Sequence, residues 1–174
     1  MRTWRILDVG DGTRSESLTA KEIVARMLRS PELVWIEPDS GHGAFAHEVS
    51  DVREVLYAEH LETIAAAWFR RPGAPPLSWV SDLVIEVSEQ RVDEALTLIR
   101  ALVCEAKTDE ELAWVGAGPL EDILWSHGPS AIGAVEQAAQ DDRFRFALAG
   151  VWPSQQHPDV WRRVALALGS QERY

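Results

Sequence analysis

Glu121, Asp122 and His127 are the side chains of this 174-residue chain whose types and spacing could carry chemistry. Two carboxylates beside an imidazole supply the parts of a general acid–base system, provided their surroundings push their titrations apart. Adjacent positions on a helix point about 100° apart, so Glu121 and Asp122 do not readily share one substrate. Either could still pair with His127 from a neighbouring turn. The same residues also have a structural use. Gly118-Pro119 breaks and restarts the chain, and Pro at a first helical position is pre-organised there. Carboxylates in the following turn are stabilised by the exposed N–H groups and the helix dipole, by roughly 0.3–1 kcal/mol each. His127 shares a face with Leu120, Ile123 and Leu124 just before Gly128-Pro129, where an imidazole can cap the last carbonyls of a helix. The structural use is the first expectation. The alternative is a small enzyme of unknown reaction with its site at the Gly118-Pro119 helix break.

The other chemistry-bearing residues point less far. His42, His47, Glu48, Asp51 and His60 are close in sequence but match no metal-ligand spacing, so no metal and no cofactor is expected. Gly41-His-Gly43 reads as a turn. No phosphate loop, dinucleotide fingerprint or nucleophile elbow occurs. Cys104 is the single cysteine, which excludes an intrachain disulfide framework. With Glu105 beside it and an apolar stripe next to it, it is expected to be a buried structural thiol. Arg143, Arg145, Arg162 and Arg163 interleave with Phe144, Phe146 and Trp161, a mixture that can bind nucleic acid. Here Asp141, Asp142 and Asp159 sit alongside, and the arginines are expected to pair internally with the acidic middle of the chain.

The elements that must hold these residues are mostly helical. A strand over Thr3–Val9 is followed by a turn signal at Gly10-Asp-Gly12. Thr19 with Glu22 forms a capping box for a helix over about Ala20–Arg29, which Pro31 ends. Leu33–Glu37 and Ala44–Val49 read as a hairpin to which the first strand adds a third. From Ser50, a candidate N-cap, the apolar period becomes helical and runs to Arg70. Pro72-Gly-Ala-Pro-Pro76 is a loop. Helices then follow from about Ser78 and from Val92, the second carrying the cleanest apolar stripe. A third, opened by a box of Thr108 and Glu111, runs to Val115. Further helices are expected over Pro119–His127, Pro129–Gln140, Arg143–Val151 and Pro158–Leu168. The segments Thr108–Pro119 and Asp141–Pro153 are faintly alike, offset by about 33 residues. The fold class is therefore α+β, predominantly α: short antiparallel helices with a small N-terminal β hairpin or sheet. One domain is expected over 1–174, with 1–50 as a β/α addition to a helical portion over 51–174.

Charge and aromatic content bound the function. The net charge is −11, and residues 51–128 hold most of it, with 15 acidic and 6 basic side chains. Such a field opposes nucleic-acid phosphates and attracts basic proteins. No apolar run is long enough to span a membrane, and the N-terminal residues lack the apolar core of a signal peptide, so a cytoplasmic protein is expected. Eight tryptophans are present. Most fall at core spacing, leaving one or two as surface anchors.

Ala117-Gly-Pro-Leu-Glu-Asp122, Ile123-Leu124 and His127-Gly128 are followed by Val135-Glu136, Ala138, Phe144-Arg145, Leu148 and Trp152. This order resembles the signature of an uncharacterised bacterial domain-of-unknown-function family, Ala-Gly-Pro-Leu-Glu-Asp-Leu-Leu and then His-Gly. The resemblance covers residues 80–165, with Ile123 in place of a Leu. It implies a small helical domain in which Gly118, Pro119, Glu121, Asp122 and His127 are the positions to watch, and it implies no activity.

These readings together lead to an expected function. The chain is an acidic, non-enzymatic protein-binding domain that docks or neutralises a basic partner, as immunity and antitoxin proteins do. The polar faces of two neighbouring helices, carrying Asp82, Glu86, Glu89, Asp93 and Glu94, are its candidate surface. A homo-oligomeric scaffold is a further alternative.

Overall fold

The structure, a computed structural model, describes residues 3–7, 17–30, 34–38, 42–71, 73, 77–153 and 157–169. The turn signal at Gly10-Asp-Gly12, Pro31 and most of the Pro72–Pro76 loop lie outside them. The chain divides into two compact units, Met1–Leu83 and Val84–Tyr174.

The first unit carries the only strands among the described residues: β1 (Trp4–Leu7), β2 (Trp35–Pro38) and β3 (Ala44–Phe45). They form an antiparallel sheet in that order, with Arg5 opposite Glu37 and Trp35 opposite Phe45. Trp4 also exchanges backbone hydrogen bonds with Leu18, at 2.9 and 2.7 Å, which leads the chain into α1 (Ala20–Met27). Thr19 caps that helix with the full reciprocal box: its hydroxyl accepts from the Glu22 N–H, and the Glu22 carboxylate accepts from the Thr19 N–H at 2.8 Å. Ile23, Val24 and Met27 are buried and share the core of this unit with Trp4, Ile36, Val52, Leu56 and Ile64.

The long helix expected over 51–70 is two helices, α2 (Ser50–Glu59) and α3 (Leu61–Trp68), with His60 between them outside helical geometry (φ −138°, ψ 13°). The reason lies in the stripe. After Val52 and Leu56 the next core-facing positions are Glu59 and His60, so the apolar face is interrupted where the helix breaks. Ser50 is the first helical residue rather than the cap. A 3₁₀ turn (Ala46–Glu48) runs up to it and leaves Val49 extended as the N-cap.

α4 (Trp79–Gln90) carries the boundary between the units. At its start Trp79 is fully buried, and its indole N–H donates to the Met27 carbonyl at 3.3 Å. The second unit continues with α5 (Val92–Glu105), α6 (Asp109–Val115), α7 (Glu121–Ala138), α8 (Asp142–Leu148) and α9 (Pro158–Ala167). The α5 stripe buries Ala95, Leu96, Leu98, Ile99, Leu102 and Val103. It packs on α7 and α8, α9 packs on α7, and α6 packs on α8. Thr108 caps α6 through the Glu111 N–H at 3.2 Å, but the Glu111 carboxylate reaches the Lys107 N–H, so the box closes one residue early. The chain is thus α+β and predominantly α, with its sheet confined to the N-terminal part. Among the described residues no helix is long and apolar enough to cross a membrane.

Candidate functional site

Five residues between α6 and α7, Gly116–Leu120, form a wide π-type turn, and Gly118 within it leaves helical geometry (φ −125°, ψ −109°). Pro119 lacks an N–H, and its ring would clash with the carbonyl four residues back, so the ladder must open here. A second opening was expected to end the next helix at Gly128-Pro129. That break is present: α7 is two helical stretches joined across a kink at His127 (φ −133°, ψ 18°), the second running to Ala138. Pro129 forces that kink for the same reason. The Ser130 hydroxyl donates to the His127 carbonyl at 2.9 Å, at the start of the second stretch. Gly128 sits tightly against Val160 of α9.

The three residues with catalytic potential occupy different hydrogen-bonding settings. Glu121 Oε2 accepts from the Trp152 N–H at 2.8 Å, tying the first turn of α7 to the chain after α8. His127 lies at the joint between the two helical stretches of α7, and its Nε2 pairs with the Glu89 carbonyl at 2.7 Å. It therefore caps the last turn of α4, not its own helix. Asp122 is partly buried, and burial, with the Glu89 and Glu121 carboxylates nearby, raises its pKa above the ordinary Asp value. Among the described residues no hydrogen bond joins any two of Glu121, Asp122 and His127.

The α6–α8 contact beside this turn is unusually close. A Cβ at Gly116 would overlap the Ala147 carbonyl oxygen, and one at Gly150 would lie 3.2 Å from the Ala113 carbonyl oxygen. The two faintly similar segments therefore meet face to face, each glycine seated on the other helix's alanine. Small residues let backbones approach this way, and Cα–H groups then point at carbonyls.

Trp4, Trp79 and Trp161 are buried, and Trp35 and Trp68 are half-buried. The second unit departs from the expected pattern. Trp114 is 52% exposed, Trp125 53% and Trp152 75%. Trp114 and Trp125 face away from buried Val115, Gly116, Leu120 and Leu124 on their own segment.

A cavity of about 380 Å³ opens between α5, α7 and α8, lined by Val103, Ala138 and Phe144 with Arg100, Gln137 and Asp141. Cys104 also lines it and is exposed, contrary to the buried thiol expected. The α5 stripe turns Leu102 and Val103 inward, and the next residue falls outside it. None of Glu121, Asp122 and His127 lines this cavity.

Among the described residues the late arginines pair with Glu136, Asp142 and Asp159 and not with the acidic side chains of 51–128. Arg163 makes a two-pronged ion pair with Glu136, with Nε to Oε1 at 2.7 Å, while Arg162 meets Asp159 at 3.0 Å and Arg145 meets Asp142. Arg143 donates to the Val103 and Ala106 carbonyls, capping the end of α5.

In the first unit, His47 is buried against the Phe45 ring, with centroids 5.9 Å apart, and burial lowers its imidazole pKa. Its carbonyl accepts from the buried Arg53 guanidinium at 3.0 Å. The Glu48 carboxylate accepts from the Phe45 N–H at 2.9 Å, while His42 is exposed and His60 sits at the α2–α3 joint. Of the expected binding acids, Glu89 and Asp93 are exposed in the second unit. Glu86 and Glu94 are half-buried, with Glu94 3.8 Å from Arg91. Asp82, in the first unit, is exposed.

No curated protein and no solved structure matches the sequence. A family of unknown function, DUF6869, matches residues 70–171. The match contains every position of the resemblance drawn from Gly118, Pro119, Glu121, Asp122 and His127, and the chain belongs to that family.

Proposed function

We propose that this chain is a non-enzymatic protein-binding domain that docks a basic partner, in the way immunity and antitoxin proteins engage theirs. The observation that carries the reading is the exposure of Glu89 and Asp93 on successive helices of the most acidic segment. The late arginines that could have neutralised that segment pair instead with Glu136, Asp142 and Asp159. The field of the exposed Glu89 and Asp93 acts outward, where it steers a basic protein and speeds association more than it adds raw affinity. Glu86 and Glu94 on the same helices, and Asp82 in the first unit, add to the acidic character.

Affinity capture from the native host, at low and at high salt, tests the reading. A protein rich in Lys and Arg should be retained at low salt and released at high salt. Its association should slow when Glu89 and Asp93 are neutralised together. Unchanged association in that double variant would refute the assignment of this surface.

A further inference from the structure

Three exposed tryptophans in one unit call for a physical account. Trp offers more buried area than any other side chain, and leaving it half in water forgoes that stabilisation. In sequence Trp114 and Trp125 flank the bare Gly118, beside which a Cβ would meet no atom within 4 Å. Trp152 is held next to the same turn by its backbone bond to Glu121. Helical side chains lean toward the N-terminus and cover the turn before their own. Trp125, four residues after Glu121, therefore leans over the turn that carries this carboxylate. None of the three indoles stacks on another ring among the described residues.

The charges that act on Asp122 are all of one sign. Glu121, Asp122 and Glu89 lie near enough for Asp122 to feel both neighbours, and among the described residues no cationic group adds to its shift. Glu121 Oε1 is left without a hydrogen-bond partner among the described residues. Indole faces carry negative electrostatic potential and attract guanidinium and ammonium groups, by about 0.5–2 kcal/mol each. Aromatic faces and unneutralised carboxylates select the same ligand chemistry.

We infer that Trp114, Trp125 and Trp152, with Glu121 and Asp122, form a docking patch for an arginine- or lysine-bearing segment of a partner protein. The inference rests on the protein-binding reading above and names the anchor of that interface. An inserted cation stacks on an indole, pairs with the Glu121 carboxylate and relieves the repulsion at Asp122.

The test uses the full chain and an octapeptide of alternating Arg and Gly, with a citrulline-for-arginine copy that keeps the shape and removes the charge. The readout is the indole N–H signals in a nitrogen-edited proton NMR spectrum, assigned with Trp114→Phe, Trp125→Phe and Trp152→Phe. These three signals should move saturably with the arginine peptide and stay still with the citrulline one. Glu121→Gln, which keeps an acceptor for the Trp152 N–H, should weaken binding by about threefold to tenfold. Still signals at millimolar peptide, or equal movement with citrulline, would overturn the patch. So would movement on raising the concentration of the protein alone, because a second copy would then be the occupant. Capture of a basic host protein that binds Trp114→Ala and Trp125→Ala variants unimpaired would overturn the patch and leave the broader reading intact. Saturable binding of the arginine peptide without any captured host protein would do the reverse.

Discussion

Gly116 lies directly against the carbonyl oxygen of Ala147, with no room for a side chain between them. The reciprocal contact of Gly150 with Ala113 makes the α6–α8 crossing a paired feature. It fixes how Trp114, just before Gly116, and Trp152, just after Gly150, are presented. Fold and candidate site therefore depend on the same two glycines.

Gly116→Ala should destabilise the protein by about 3 kcal/mol, the upper end for overpacking, because the obstacle is backbone and cannot rotate away. Gly150→Ala, with 3.2 Å available, should cost less. Gly133 in α7 meets no atom within 4 Å, so Gly133→Ala should stabilise by about 0.5–1 kcal/mol through helix propensity alone. Chemical denaturation of the three variants checks this order.

Arg143→Ala should cost about 1 kcal/mol, since its guanidinium holds the Val103 and Ala106 carbonyls at the end of α5 but is open to solvent. Arg143→Lys should recover only part of that, because an ammonium lacks the planar fork. Hydrogen exchange at the amides of the last α5 turn should rise in Arg143→Ala.

Asp122 gives a pH dependence of definite sign. Its folded-state pKa is raised, so its ionised form is disfavoured by folding. The group costs stability above its folded pKa, and this cost disappears as pH falls through that value toward the unfolded one. Asp122→Asn should therefore raise the melting temperature at pH 7 and lose its advantage below the ordinary Asp range. An equal gain at both pH values would point to packing instead of charge.

Cys104 should react with a thiol reagent in the native protein at a rate close to that of the unfolded chain, because it is exposed beside the α5–α7–α8 cavity. Protection until unfolding would contradict its placement.

Much of the fold could be read locally. The Thr19–Glu22 box and the α5 stripe each follow from residues a few positions apart, whereas the sheet joins Trp4 to the distant Pro38. The break at His60 was also present in the sequence, as two polar residues on the core-facing side, but helix-forming neighbours masked it. The break at Gly128-Pro129 was legible from the proline alone, and the structure places the non-helical residue just before it, at His127. The site was the least legible part. The Glu121–Trp152 bond spans 31 residues and the His127–Glu89 contact 38, and no local pattern encodes either. Exposure of Trp114, Trp125 and Trp152 depends on which helices cover them, and residue type alone predicts burial. The equivalence of Ala113–Gly116 and Ala147–Gly150 did leave a trace, as the faint likeness of the two segments.

Under our proposal this acidic chain docks a basic protein. The most direct test is capture from the native host with the wild-type chain and the Glu89→Gln/Asp93→Asn variant, at low and high salt, with mass spectrometry of what is retained. The account predicts a Lys- and Arg-rich protein that is held at low salt, released at high salt and captured less by the variant. A partner without basic excess, or one held equally by both chains at both salts, would contradict it.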